Sequence, residues 1–502
     1  MILLPVLLLV APPTKIKTLY NSLDPSSIAE HLAFYDLYPN SKEGQAALKE
    51  AWALLAPQKG AQSVPLPISE LNQVLDGIVH LVTKPAQKET VTLTEKELIT
   101  IEKLCASLPN RRLKGHQVQS EEEVILLPAK EIDLARGLLL SQLADDPEKW
   151  SKLRSYEAMV DLIALQILSK VPLAAPPEQK IKAMNALIFD DMGYRFPPHS
   201  VYAKDIDVYT FLPSVLDSRR GVCLGVSILY LCLAQRLDLP LEMITPPGHI
   251  YVRYHKGDDV INIETTARGI HIDSQEYLSV DTRSLQERTI KEVIGLAHFN
   301  QASVFWKLQD YQKALRAYER ALPYLPNDML LKELMAYTLL YNDKREKAVT
   351  LLEEVKDHIP DYAIYKETVA EDFLAGNVGA ESIKLLFEPV DETRESILAK
   401  KAVLEEALQK YPHFRAGLVA LATTWLQLHH VAEALPYLEK AHALDANDPT
   451  IEYYLAELYV ERLDYNKAWS HLKSAEQLTA KRNYSPKALR DLRKTLTTLY
   501  PE

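Results

Sequence analysis

From about Glu292 onward, small residues return at a spacing of 34. Ala302, Ala336 and Ala370 make one series, Ala314 and Ala348 a second, and Pro326 and Pro360 a third. A later phase gives Ala422 and Ala456, Ala434 and Ala468, and Ala441 and Ala475. A period of this length is one pair of helices that cannot bury its apolar face alone and must stack on its neighbours. Small side chains let the paired helices approach, and a proline ends the unit. The C-terminal part of the chain must therefore be a helical array. The period weakens across 371–410, where Ser382 stands in an alanine position and the phase shifts before Pro412.

At 502 residues the chain is too long for one core and should divide into two to four domains. Only 15 glycines and 9 phenylalanines, set against abundant Leu, Ala, Glu and Lys, favour helix. A net charge of −11 does not point to nucleic acid as a partner. Cys105, Cys223 and Cys232 cannot make a disulfide framework and fit no zinc spacing, so neither a metal nor a cofactor is expected. The opening MILLPVLLLVA is too short to span a bilayer but has the length of a signal-peptide apolar region. No Lys or Arg precedes it, Pro12 follows the only plausible cleavage alanine, and Lys15 and Lys17 come after. Two readings stay open: a signal or anchor on an exported, membrane-associated protein, or the buried or disordered N-terminus of a cytoplasmic one.

Between that opening and residue 128, SIAEHLAFYDLY, GQAALKEAWALLA, ISELNQVLDGIVHLV and EKELITIEKLCASL repeat apolar residues at three- and four-residue steps, which predicts helices. Thr94 and Glu97 make a capping box, and Cys105 falls on an apolar face as a core residue. Breaks at APQKGAQSVPLP and TKPAQKETVT separate the helices, and the basic run NRRLKGH at 110–116 reads as a solvated loop, with phosphate binding as the lesser alternative. Two or three longer helices follow from Lys130, over KEIDLARGLLLSQLA, EKWSKLRSYEAMVDLIALQILSKV and EQKIKAMNALIFDDMG. YRFPPHSVYAKDIDVYTFLPSVLDSRRG then has too many prolines and aromatics for a long helix and reads as a folded connection.

What it leads to is VCLGVSILYLCLAQRL, a helix apolar nearly all round, with Cys223 in its first turn. Cys232, nine residues on, would face about 180° away. A strand LEMIT follows, then Pro-Pro-Gly, then HIYVRY and VINIETT as a hairpin joined through Lys256–Asp259. Closing it that way pairs His255 with Val260 and sets Glu264 opposite Tyr251, one diagonal step from His249 on the same face. Cysteine at a helix start, histidine at a strand start and an acid on the next strand is an order that suits nucleophile, base and orienting group. Unpaired amides at a helix N-terminus favour a thiolate, and the Cys223 amide is a natural oxyanion donor. Glu264 is the first choice as orienting group and Asn262, on the same face, the second. Against this stand ordinary roles: a core cysteine and a turn histidine.

These residues also carry a resemblance. SRRGVCLGVSILYLCLAQRLDLP, PPGHIYVRY and NIETTARG, with EIDLARGLLLSQLADDP upstream, resemble the bacterial transglutaminase-like branch related to SirB proteins, over about 130–290. DYQKALRAYERALPYLPND and HVAEALPYLEKAHALDANDP are similar to tetratricopeptide repeats, an array that commonly follows in that family. The resemblance implies a papain-like cysteine fold with Cys223, His249 and Glu264. The superfamily's acid is usually aspartate followed by threonine; here Glu264 precedes Thr265. Many relatives in the branch have no cysteine at the equivalent of Cys223, which keeps a non-enzymatic regulator open as the alternative that the resemblance implies.

The expected fold is mainly α with a small α+β core. An apolar stretch at 1–13 and a helical region at 14–128 precede a transglutaminase-like domain with a small antiparallel sheet at 129–291. A tetratricopeptide solenoid at 292–484, degenerate at 371–410, ends in a capping helix at 485–502, with Ser485 as N-cap and Pro486 at the first helical position. The expected function is thiol-dependent acyl transfer, either peptide or amide hydrolysis or transglutaminase-like exchange, with a protein or peptide recruited in the repeat groove. The alternative is a catalytically silent transglutaminase-like and repeat scaffold that binds and regulates other proteins.

Overall fold

The computed structural model describes residues 13–55, 67–83, 92–172, 174–197, 208–388, 390 and 393–501. The apolar opening, both proline-bearing breaks and part of the connection before Cys223 lie outside or largely outside them. The chain divides into two compact units. One holds the described residues before 198, with Val208–Glu242 and Val252–Ile270; the other holds Met243–Tyr251 and the described residues from His271 onward. Among the described residues the chain is mainly helical, with a small antiparallel sheet. Among the described residues, no helix is long and apolar enough to cross a membrane.

In the first unit, helices occupy Pro13–Tyr20, Ile28–Leu37, Lys42–Leu55, Leu75–Thr83 and Glu95–Leu104, the last opened by the Thr94–Glu97 capping box. The expected helix over 68–82 breaks after Asn72 and resumes at Leu75. The helix expected from Lys130 starts instead at Leu134, because Asp133 turns its carboxylate onto the amides of Ala135 and Arg136 as an N-cap. Lys149–Ser169 and Cys223–Arg236 form the centre, the latter buried without interruption from Leu224 to Ala234. Such burial leaves no amphipathic face, as its composition indicated.

A network of buried charge runs through this core. Asp133, Asp161 and Arg236 are all fully buried, and Arg236 bonds Asp161 through Nε. Asn110 donates to Asp133 at 3.0 Å, His116 Nδ1 lies 3.1 Å from the same carboxylate, and Arg111 reaches Asp161. Residues 110–116 are therefore not a solvated loop. They form two short 3₁₀ turns that bring the Arg111 cation and the polar side chains of Asn110 and His116 to carboxylates which burial alone would make costly, while Arg112 and Lys114 stay exposed.

The sheet order is β3-β2-β1-β4, with β1 at Leu241–Thr245, β2 at Tyr251–Lys256, β3 at Asp259–Ile263 and β4 at Gln286–Arg288. In the hairpin His255 faces Val260 and Val252 faces Ile263, the register that the alternation predicted. Two ends differ from expectation. His249 precedes β2 rather than starting it, because its N–H closes a turn on Pro246 O at 3.1 Å. Gly248, at φ +72°, takes the position in that turn which a side chain would disfavour. Glu264 likewise follows β3 and caps a 3₁₀ turn over Thr265–Ala267.

In the second unit, paired helices run from Ile290–Lys307 to Tyr465–Ala480. Every periodic alanine is buried, and Ser382 is buried in the place of one. Where the period fails, the helices Val369–Leu374 and Ala380–Phe387 are short. Gln309, Asp343, His429 and Leu463 all take positive φ in the inter-helix turns, repeating at the same spacing as the alanines. The last helix is Lys487–Leu499 with Pro486, not Ser485, at the N-cap; the extended ψ of 143° at Pro486 delays the helix by one residue.

Candidate functional site

Cys223 is the first residue of its helix. Val222, at the N-cap, makes no side-chain hydrogen bond, so the capping residue leaves the positive end of the helix uncovered. Val222 instead donates its N–H to Tyr209 O at 3.1 Å, drawing a second backbone segment against the first turn. That approach requires Gly225: a Cβ there would stand 2.2 Å from Tyr209 O. Cys223 is half-buried, while Cys105 and Cys232 are completely buried. Burial pushes the thiols of both buried cysteines well up, which keeps them protonated and inert.

Two ties join this helix to the turn that carries Glu264. One turn along from Cys223, Ser227 Oγ lies 3.0 Å from Thr265 Oγ1. Tyr230 donates to Asn185 Oδ1 at 2.9 Å, and Asn185 donates to Gly269 O at 3.3 Å. Glu264 itself is buried, its N–H donating to Ile270 O at 3.0 Å and its carbonyl accepting from Gly269 at 2.8 Å. Its Oε1 accepts from Thr266 N at 3.3 Å and Thr266 Oγ1 at 2.8 Å. The carboxylate is thus orientated by its own cap. Asn262 plays a different part. Its Oδ1 accepts from Arg253 Nε at 2.9 Å across the hairpin, and both residues are buried.

His249 lies in the second unit, fixed by the Pro246 turn and stacked on Tyr277 with ring centroids 5.8 Å apart and planes 12° from parallel. Tyr277 also stacks on Tyr251 at 4.7 Å. It belongs to the Ser274–Tyr277 turn, in which Glu276 pairs with Lys487 at 3.3 Å; just beyond the turn, Ser279 O accepts from Tyr484 Oη at 3.0 Å. The start of the last helix and the connection before it therefore contact the segment that carries Tyr277. Nothing in the sequence singled out Tyr277, which stands in no motif and far from His249 along the chain. Arg219 and Arg220 serve backbone geometry: Arg219 takes a left-handed φ of 53° and donates to Met192 O, and the run bridges to Arg195.

Residues 154–302 match the family model of the transglutaminase-like superfamily, and residues 295–328 that of the tetratricopeptide repeat. Human F-box only protein 21 is 25% identical over 139 residues, which are 28% of this chain and 20% of that protein. A UPF0162 protein of Xylella fastidiosa is 23% identical over 186 residues, 34% of this chain and 65% of that protein. The chain thus spans less than two thirds of the length of either relative. Among solved structures, a thermophilic TPR protein of Thermus thermophilus is 22% identical, covering 41% of this chain and 97% of its own, at a TM-score of 0.20. A tetratricopeptide repeat protein from Parabacteroides merdae is 14% identical, covering 41% and 71%, at a TM-score of 0.22.

Proposed function

We propose that the chain is a thiol-dependent acyl-transfer enzyme of the SirB-related transglutaminase-like kind, with Cys223 as nucleophile, His249 as base and Glu264 as orienting acid. The observation that carries this is Cys223 itself. It is the one partly accessible cysteine, it opens a buried helix whose N-cap makes no side-chain hydrogen bond, and that helix is tied to the Glu264 turn through Ser227 and Thr265. In the proposed cycle His249 accepts the thiol proton and Cys223 Sγ attacks an amide carbonyl carbon. The tetrahedral oxyanion draws on the helix-end amides. The carbon–nitrogen bond breaks as His249 returns the proton to the amine, leaving a thioester. Water then attacks the thioester and regenerates the thiol; an amine in place of water gives a cross-linked product. Tetratricopeptide arrays bind proteins in general, and their stacked repeats build an extended concave surface. The substrate is accordingly a protein or peptide held by residues 292–484.

The acid's cap favours a second reading. Because Glu264 already accepts two hydrogen bonds from Thr266, the domain also suits a catalytically silent scaffold that presents the repeat array. A peptidyl acyloxymethyl ketone separates the two. The enzyme reading expects a mass shift on the Cys223 peptide that disappears on His249→Ala. The scaffold reading expects no adduct, with pull-down of protein partners that survives Cys223→Ala and is lost on deleting 292–502.

A further inference from the structure

Three helices of the last repeats, Val431–Leu444, Pro449–Glu461 and Tyr465–Ala480, bring His442, Glu452 and His471 together. Glu452 is 2% exposed. Its Oε2 lies 2.6 Å from His471 Nδ1, and its Oε1 lies 3.2 Å from His442 Nδ1. The second contact is out of hydrogen-bonding alignment, which leaves His442 Nδ1 buried without a hydrogen-bond partner. The three ligand atoms lie within 4.8 Å of one another. The two imidazole rings meet edge to face at 5.3 Å, and Tyr459 stacks on His471 at 5.5 Å, fixing its plane.

We propose that His442, Glu452 and His471 bind a divalent transition-metal ion, with zinc the best match. Two imidazole nitrogens and one carboxylate oxygen are a donor set for zinc and its first-row neighbours rather than for calcium or magnesium, which prefer oxygen alone. Bond lengths of about 2.0–2.2 Å are reached by small ring movements from the present separations. Three protein ligands leave a coordination position for water or for a side chain of a protein held by the array. A simple hydrogen-bonded trio explains His471 but leaves His442 Nδ1 unsatisfied. The geometrically similar trio His116, Asp133 and Glu157 carries no such inference, because Arg136 already pairs with Glu157 and Arg236 lies 3.9 Å from Asp133. No short motif betrays the site, since its ligands come from three helices; a metal was not expected from the sequence.

The test uses the full chain, stripped with a chelator and titrated with Zn²⁺ by calorimetry, then with Co²⁺ to read the visible bands of a four-coordinate ion. The expected result is one equivalent bound at micromolar concentration or tighter, with zinc raising the unfolding temperature. His442→Gln, on a residue one-third exposed, should weaken binding by more than about tenfold. Glu452→Gln, which keeps the shape, should abolish the zinc-dependent rise in unfolding temperature. Wild-type chain that takes up no zinc at micromolar levels, or variants that bind it as wild type does, would overturn the proposal.

Discussion

Replacing Arg236 by methionine perturbs the centre of the buried charge network. Arg236 is completely buried at the last turn of the Cys223 helix, bonded to Asp161 and to Cys232 O at 3.0 Å, with Asp133 Oδ1 at 3.9 Å. Methionine fills much of the volume but leaves two buried carboxylates one cation short. Asp161 keeps Arg111, and Asp133 keeps Asn110 and His116, so the loss belongs at the lower end of the range for broken buried pairs, about 3 kcal/mol. The pH dependence supplies a second check. Burial alone would raise the Asp133 carboxyl, but the Arg236 charge and the bonds from His116 and Asn110 hold it well below the usual carboxylate range. A depressed carboxylate contributes stability above its unfolded value of 3.8, lost as pH falls through the lower folded value. Without Arg236 the burial effect gains weight and the carboxyl rises, so the variant loses less on acidification than wild type does. Urea denaturation at pH 7 and at about pH 3, below the unfolded value, should show a gap of about 3 kcal/mol at pH 7 that narrows in acid. A gap below about 1 kcal/mol, or one unchanged by pH, would refute this reasoning.

Gly225→Ala places a Cβ 2.2 Å from Tyr209 O, so the first turn or the facing backbone must move. A loss of about 1–3 kcal/mol in denaturant, with altered alkylation of Cys223, is expected. Burial pushes Glu333, whose carboxyl accepts from Tyr337, up to about 7. Its neutral form therefore stabilises the fold below pH 4.5, and that contribution is lost as pH rises through 7. Relative to Glu333→Gln, wild type should lose up to about 3 kcal/mol between pH 5 and 8 in paired denaturation curves.

The repeat array was legible because its signal is local and periodic: each alanine at the recurring spacing is buried against its partner helix. The hairpin register was legible for a similar reason, since alternation over HIYVRY and VINIETT admits one pairing that keeps the apolar residues on one face. Strand ends were less so. Pro-Pro-Gly commits the His249 amide to a turn, and Thr266 draws the Glu264 carboxylate into a cap. Both effects are short-ranged and compete with the sheet. The charge network was hidden because its pairs, such as Arg111 with Asp161 and Arg236 with Asp133, are far apart in sequence. Charged residues in a polar run look solvated until the buried partner is known. Tyr277 was hidden in the same way, its role set by stacking rather than by spacing.

The rate of Cys223 alkylation by iodoacetamide across pH, compared with His249→Ala and with glutathione under the same conditions, tests the proposed chemistry most directly. If Cys223 is the nucleophile, it should react at least about tenfold faster than glutathione near neutral pH, and His249→Ala should remove that advantage. A Cys223 that reacts no faster than glutathione, at a rate indifferent to His249, would contradict it.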